Sequence, residues 1–107
     1  MTIKLNAEEA IRSIELGKKS AIEIYNSNKR YSDFYLEEMI KESRSNLMKV
    51  KIKSINQIAD ELSKIFRIIS VEDRIKLAME SRIEDINKYK YLIKLYEEEL
   101  IRRMKFK

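Results

Sequence analysis

The stretch that decides the fold of this chain is VEDRIKLAMESRIEDINKYKYLIKLYEEELIRRMKFK, residues 71–107. No glycine or proline interrupts it, and Ser70 before it is a residue type that caps helices. Its apolar side chains recur at the a and d spacing of a helix that packs lengthwise on a partner: Met79, Ile86, Tyr89, Ile93, Tyr96 and Leu100. The stretch therefore predicts one unbroken helix of about 36 residues, which would span roughly 54 Å.

A helix of that length is longer than a compact bundle of this size needs. A globular domain of about 100 residues has a radius of gyration of roughly 13 Å. We therefore expect one end of the helix to project beyond its shorter neighbours and to meet something else. The partner interface that this predicts is the apolar side near the carboxyl end of the helix: Tyr89, Ile93, Tyr96, Leu100 and Met104.

Three shorter helices are predicted before the long one, each introduced by a capping signal. These signals are Asn6 with Glu9 for a first helix that starts at Ala7, Ser32 or Asp33 for the second, and Ser54 with Gln57 for the third. One glycine and no proline make sheet corners and tight turns scarce. We expect a single all-α domain over residues 1–107: an up-and-down bundle of about four helices with a long carboxyl-terminal helix.

The apolar faces of the shorter helices differ in how regular they are. The third has the cleanest stripe and is expected to be the central core element: Ile55, Ile58, Ala59, Leu62, Ile65, Phe66 and Ile69. In the second helix, the small Ser43 lies at the centre of the apolar face and would permit close packing. The alternating run Lys49–Lys53 is typical of a strand, but the chain offers no partner strand, so we interpret it as a helix end.

Gly17 interrupts the apolar face of the first helix and has two explanations. Glycine costs roughly 1 kcal/mol relative to alanine inside a helix, so its presence needs a reason. The favoured explanation is that the backbone of another helix approaches closely at Gly17. The alternative is a kink or a tolerated defect.

The inventory of reactive side chains argues against an enzyme. The chain has no histidine and no cysteine, which removes the commonest general base, thiol nucleophiles and most transition-metal ligands. A phosphate-cradling loop needs several glycines, and the chain has one. Carboxylate runs such as Glu97–Glu99 are interpreted as the solvated surface of helices. We expect no catalytic residues, no cofactor, no metal and no small-molecule substrate.

Positive charge is the second feature that bears on function. The formal net charge is +5, and 38% of the residues are charged. The basic residues that cluster are Lys18, Lys19, Lys29 and Arg30; then Lys49, Lys51 and Lys53; then Arg102, Arg103, Lys105 and Lys107. If the fold brought two clusters together, they would form a patch that binds phosphates with a salt-dependent affinity. The alternative is that these charges complement helix dipoles and limit aggregation.

These observations favour binding over catalysis. The leading expectation is a non-enzymatic interaction protein that acts through its long carboxyl-terminal helix, as a homo-oligomer or as a subunit of a larger assembly. The alternatives are a nucleic-acid-binding accessory protein with little sequence specificity and a small phage- or virus-encoded inhibitor. Residues Met1–Leu5 lack the apolar run of a signal peptide, and no stretch could span a bilayer, so we expect a cytoplasmic location and no membrane partner.

Overall fold

The computed structural model describes residues 3–66 and 68–106, which form four helices and contain no strand. The helices are α1 (Ala7–Asn28), α2 (Asp33–Ile52), α3 (Ile55–Ser63) and α4 (Val71–Lys105). The all-α bundle of four helices and the long carboxyl-terminal helix are therefore confirmed. α4 is continuous over 35 residues. Lys107, which the sequence includes in the last basic cluster, lies outside the described residues.

The capping residues determine where the helices begin. Asn6 accepts a hydrogen bond from the Glu9 amide at 2.8 Å, and Ser54 accepts one from the Gln57 amide at 3.1 Å. Both pairs are reciprocal capping boxes, as predicted. Ser32 caps α2, and Ser70 caps α4 by accepting from the Asp73 amide. Each cap satisfies backbone donors that the first turn of a helix leaves without partners.

α4 is the axis of the molecule. Its 35 residues span about 52 Å at about 1.5 Å per residue, and the longest dimension of the protein is 57 Å. The other three helices each pack against α4. The radius of gyration is 16.4 Å, which exceeds the roughly 13 Å of a spherical domain of this size, because the chain is wrapped along one long helix.

α1 runs in the same direction as α4, and α2 runs in the opposite direction. Arg12 near the start of α1 pairs with Glu80, whereas Tyr25 near its end reaches Glu99. Conversely, Asp33 at the start of α2 pairs with Arg103, and the carbonyl of Lys51 at its end accepts from Arg82. We call the end that holds the carboxyl terminus of α4 and the α1–α2 turn the upper end, and the opposite end the lower end.

The main core lies in the upper half, where α1, α2 and α4 meet. Its buried residues are Ala21, Leu36, Ile40, Leu92 and Tyr96. A second, smaller cluster joins α3 to the lower part of α4 through Ile58, Ala59 and Ala78. Ser43 is buried in α2, as its position on the apolar face predicted. The run that ends at Lys53 is the end of α2, also as predicted.

The expectation that the third helix is the central core element is wrong. α3 has only nine residues and ends at Ser63. The stripe therefore stops early, and Ile65 and Phe66 are 73% and 47% exposed. At the end of α3 the backbone tightens into a turn, in which the Lys64 amide donates to the Glu61 carbonyl at 3.3 Å and the Ile65 amide donates to the Leu62 carbonyl at 3.0 Å. α1 and α2 instead supply the long neighbours of α4.

Gly17 marks the closest approach of two helix backbones, which confirms the favoured explanation. It is buried in α1. A Cβ at this position would collide with the Glu84 carbonyl oxygen, and it would lie 3.0 Å from the Lys88 nitrogen. Those obstacles are backbone atoms of α4, which cannot move aside as a flexible side chain could. Glycine is therefore what lets α1 and α4 pack side by side.

Candidate interaction surface at the upper end

The structure places most of the predicted partner interface inside the bundle. Tyr96 is fully buried, and Ile93 and Leu100 pack against the core that α2 helps to form. Tyr89 is half-buried, whereas Met104 is 72% exposed. The apolar residues at the a and d positions of this part of α4 thus pack mainly within the same chain. Met104 is the one residue of the five that presents most of its side chain to solvent.

α4 also projects much less than its length suggested, because Arg103 ties its carboxyl end to the α1–α2 turn. The Arg103 guanidinium donates to the Asp33 carboxylate at 2.8 Å and to the backbone carbonyls of Tyr31 and Lys29. It also donates to Glu99 at 3.1 Å. Only the final turn of α4 continues past this contact. α1 and α2 are long enough to accompany α4 to the same level.

Glu99 is the buried anion of this network. It is 7% exposed and accepts hydrogen bonds from Arg102, Arg103 and the Tyr25 hydroxyl. These bonds, above all those from Arg102, lower the pKa of Glu99 from its usual 4.5 to about 2. Burial, with the nearby Glu99 charge, raises the pKa of Tyr25. The network joins α4 to the end of α1 and the start of α2.

Acid should weaken the fold through Glu99. Because the folded-state pKa is depressed, its stabilisation is complete above about pH 4.5 and is lost as the pH falls towards 2. A shift of this size corresponds to about 3 kcal/mol. We expect the difference in unfolding free energy between the wild type and Glu99→Gln to shrink by that order between pH 5 and pH 2, measured by urea denaturation. The exposed Glu98→Gln is the control. If the difference in unfolding free energy stayed constant between pH 5 and pH 2, the lowered pKa of Glu99 would be contradicted.

Large apolar side chains are exposed at both ends of the bundle, and those at the lower end include Ile52 and Ile65. We call the set at the clamped end the upper patch. Its members come from the α1–α2 turn, the start of α2 and the last turns of α4: Tyr31, Phe34, Tyr35, Ile101, Met104 and Phe106. Phe34 and Phe106 are 71% and 81% exposed. The rings of Tyr31 and Tyr35 lie 4.5 Å apart, so the aromatic groups of the turn support one another.

Sequence reasoning found Met104 but missed Phe34 and Phe106. The signal for Phe34 was available, because it falls out of register with the apolar face of α2 that Leu36, Ile40 and Ser43 form. An aromatic residue off the core face of an amphipathic helix is left on the surface. Phe106 follows the last α-helical residue, and its exposure depends on where the neighbouring helices end.

The structure brings together only some of the predicted basic residues. Because α1 and α4 run in parallel, Lys29 and Arg30 share the upper end with Arg102, Arg103 and Lys105. Of these, Arg103 is occupied by its clamp contacts. Lys49, Lys51 and Lys53 lie at the lower end, where Lys53 pairs with Glu61 at 3.0 Å. Lys18 and Lys19 lie midway along α1. The three clusters therefore do not form one continuous patch.

Neither a membrane-spanning helix nor a similarity to known proteins points to a function. None of the helices in the described ranges has an apolar stretch that would carry it across a bilayer. Comparison with protein-family models, curated proteins and solved structures finds no match to this chain. We therefore infer function from the geometry of the surface.

Proposed function

We propose that this protein is a non-enzymatic interaction protein that binds a protein subunit of a larger assembly through its upper end. The observation that carries the proposal is the exposure of the upper patch, with Phe34, Met104 and Phe106 each more than two-thirds in solvent. Exposed apolar patches mark interaction sites. Apolar groups are exposed at both ends of the bundle, but those at the upper end are mostly aromatic: Tyr31, Phe34, Tyr35 and Phe106. Aromatic residues and methionine are also enriched at interfaces.

The Arg103 clamp supports the proposal, because it orders the surface before binding. The guanidinium joins the α1–α2 turn to α4 through two backbone carbonyls and the Asp33 carboxylate. A partner would meet side chains whose backbone is already held. Preorganisation of this kind reduces the entropy lost on association.

Charge favours a different protein over a second copy as the partner. Lys29, Arg30, Arg102 and Lys105 are exposed at the upper end. Two copies joined head to head would bring these cations together, which electrostatic complementarity disfavours. An apolar surface with an acidic rim would match the upper patch and its cations. A small inhibitor that blocks a partner's surface would use the same contact.

Site-specific cross-linking tests the proposal. A photoreactive phenylalanine analogue is placed at Phe34 or Met104 in cells, and at the exposed Glu8 at the lower end of α1 as the control. We expect the first two positions to give the same covalent adduct and Glu8 to give none. With the identified partner purified, the double variant Phe34→Ser and Met104→Ser should weaken binding by roughly 30-fold or more, as hot-spot truncations do.

Two results would count against the proposal. One is equal cross-linking from all three positions, which would show no dependence on the upper patch. The other is a stable dimer in light scattering that the double variant dissociates, which would replace the proposed subunit with a second copy of this chain.

A further inference from the structure

A shallow depression between α1 and α4 gathers three lysine side chains around one tyrosine ring. It has a volume of about 260 Å³ and is lined by Lys18, Asn87, Lys90, Tyr91 and Lys94. It lies midway along the bundle and shares no residue with the upper patch. The clustering of basic residues in the sequence predicted Lys18 as a nucleic-acid contact but not Lys90 or Lys94. The two lysines on α4 become neighbours of Lys18 only because α1 packs beside them.

The lining is positively charged and contains no carboxylate. Lys18, Lys90 and Lys94 take part in no ion pair with any residue in the described ranges, whereas Lys41, Lys53 and Lys88 each have an acidic partner. Of the nearest acidic residues on α4, Asp85 pairs with Lys88 and Glu97 pairs with Arg44. Glu15 on α1 and Glu98 on α4 do not line the depression. Three unpaired ammonium groups in a concave lining attract an anion of high charge density.

The ring of Tyr91 gives the depression a second property. The Nζ atoms of Lys18 and Lys94 each lie 5.9 Å from the centre of this ring, although they come from different helices. Tyr91 is half-buried, so its position is set by packing against the core. A fixed aromatic ring flanked by cations is the combination by which proteins hold single-stranded nucleic acids: lysines contact phosphates, and the ring stacks on a base.

The cations of the depression lie along a short line. Lys90 and Lys94 lie one turn apart on one face of α4, about 6 Å along the helix axis, and Lys18 lines the same depression from α1. Both α4 lysines are exposed. The exposed Glu98 follows Lys94 by one turn and ends this cationic stretch. A phosphodiester chain could place successive phosphates against these lysines, whereas a single small anion would occupy only one point.

We propose that the depression formed by Lys18, Lys90, Lys94 and Tyr91 binds single-stranded nucleic acid. The three ammonium groups contact backbone phosphates, and the Tyr91 ring stacks on an unpaired base. A duplex would fit less well because its base faces are stacked inside the helix and cannot reach Tyr91. The proposal is independent of the partner of the upper patch.

Fluorescence anisotropy with a labelled 20-nucleotide single strand tests the site. The triple variant Lys18→Ala, Lys90→Ala, Lys94→Ala should lose more than tenfold in affinity at low salt. It should also flatten the slope of log affinity against log salt concentration by about 2, as expected for three lost phosphate contacts on a single strand. The control variant Lys41→Ala, Lys49→Ala, Lys51→Ala removes the same formal charge from α2 and should stay within about twofold of the wild type.

A second variant separates the ring from the charge. Tyr91→Leu keeps every lysine and should weaken single-strand binding by about fivefold or more, while changing the affinity for a duplex of the same sequence much less. Circular dichroism establishes that each variant is folded. Polyglutamate, the protein-like polyanion, should compete poorly with the single strand.

Three outcomes would overturn the proposal. The first is that the wild type binds no single strand at low salt. The second is that the control variant on α2 loses as much affinity as the triple variant, which would show that only total charge matters. The third is that polyglutamate competes as well as the nucleic acid, which would assign the depression to an acidic protein segment.

Discussion

Replacing Gly17 by alanine is expected to lower the free energy of unfolding by about 3 kcal/mol, the cost of inserting a group into a fully packed contact. In an ordinary helix the same change would stabilise the protein by roughly 1 kcal/mol. The sign reverses here because the new methyl group would collide with the Glu84 carbonyl oxygen and crowd the Lys88 nitrogen. For a domain of this size the loss corresponds to a melting temperature lower by about 15 °C.

Lys19, two residues further along α1 and exposed, provides the matched control. There the usual order should hold, so Lys19→Gly should cost roughly 1 kcal/mol and Lys19→Ala should be close to neutral. Chemical denaturation of the variants compares the two positions directly. An alanine at position 17 that raised the stability would show that α1 and α4 are not in backbone contact at Gly17.

Replacing Arg103 by leucine is the second change with a large expected effect. The guanidinium holds Asp33, Glu99 and two backbone carbonyls of the α1–α2 turn, and its loss leaves the buried Glu99 with fewer partners. Removing one member of a buried charge network costs about 3 kcal/mol. We expect a similar drop in the free energy of unfolding. Hydrogen exchange should also accelerate in residues 29–35, because the turn loses its attachment to α4.

Arg44→Leu is the control for that experiment. Arg44 also joins α2 to α4, through a hydrogen-bonded pair with Glu97 at 2.7 Å, but both side chains are substantially exposed. An exposed pair contributes less than about 1 kcal/mol. If the two leucine variants lost the same stability, Arg103 would contribute no more than an exposed ion pair. The assignment of Arg103 as a clamp between α4 and the α1–α2 turn would then be wrong.

Local signals in the sequence were sufficient to predict the helices. Asn6 with Glu9, Ser54 with Gln57, and Ser70 mark helix starts that the structure reproduces. A cap is a bond between residues three apart, so its geometry is encoded within a few positions of the chain. Gly17 was predictable for a related reason: an unfavourable residue inside a helix needs compensation from elsewhere in the fold.

The candidate surfaces were much less predictable, because they depend on which helices become neighbours. The spacing of Ile93, Tyr96 and Leu100 indicated a packing face but not its occupant, and α1 and α2 of the same chain fill that place. Likewise, Lys18 is distant in sequence from Lys90 and Lys94. The three line one depression only because α1 packs beside α4 in parallel.

The sequence by itself determined the helical class, the helix starts and the continuity of α4, and it favoured a close approach at Gly17. These properties follow from hydrogen bonds and side-chain preferences within a few residues. The tertiary structure alone decided how short and peripheral α3 is, which apolar groups remain on the upper patch, and which lysines meet around Tyr91. Periodicity specifies the angle of a face around its own helix, whereas burial and charge clustering depend on the directions in which separate helices run.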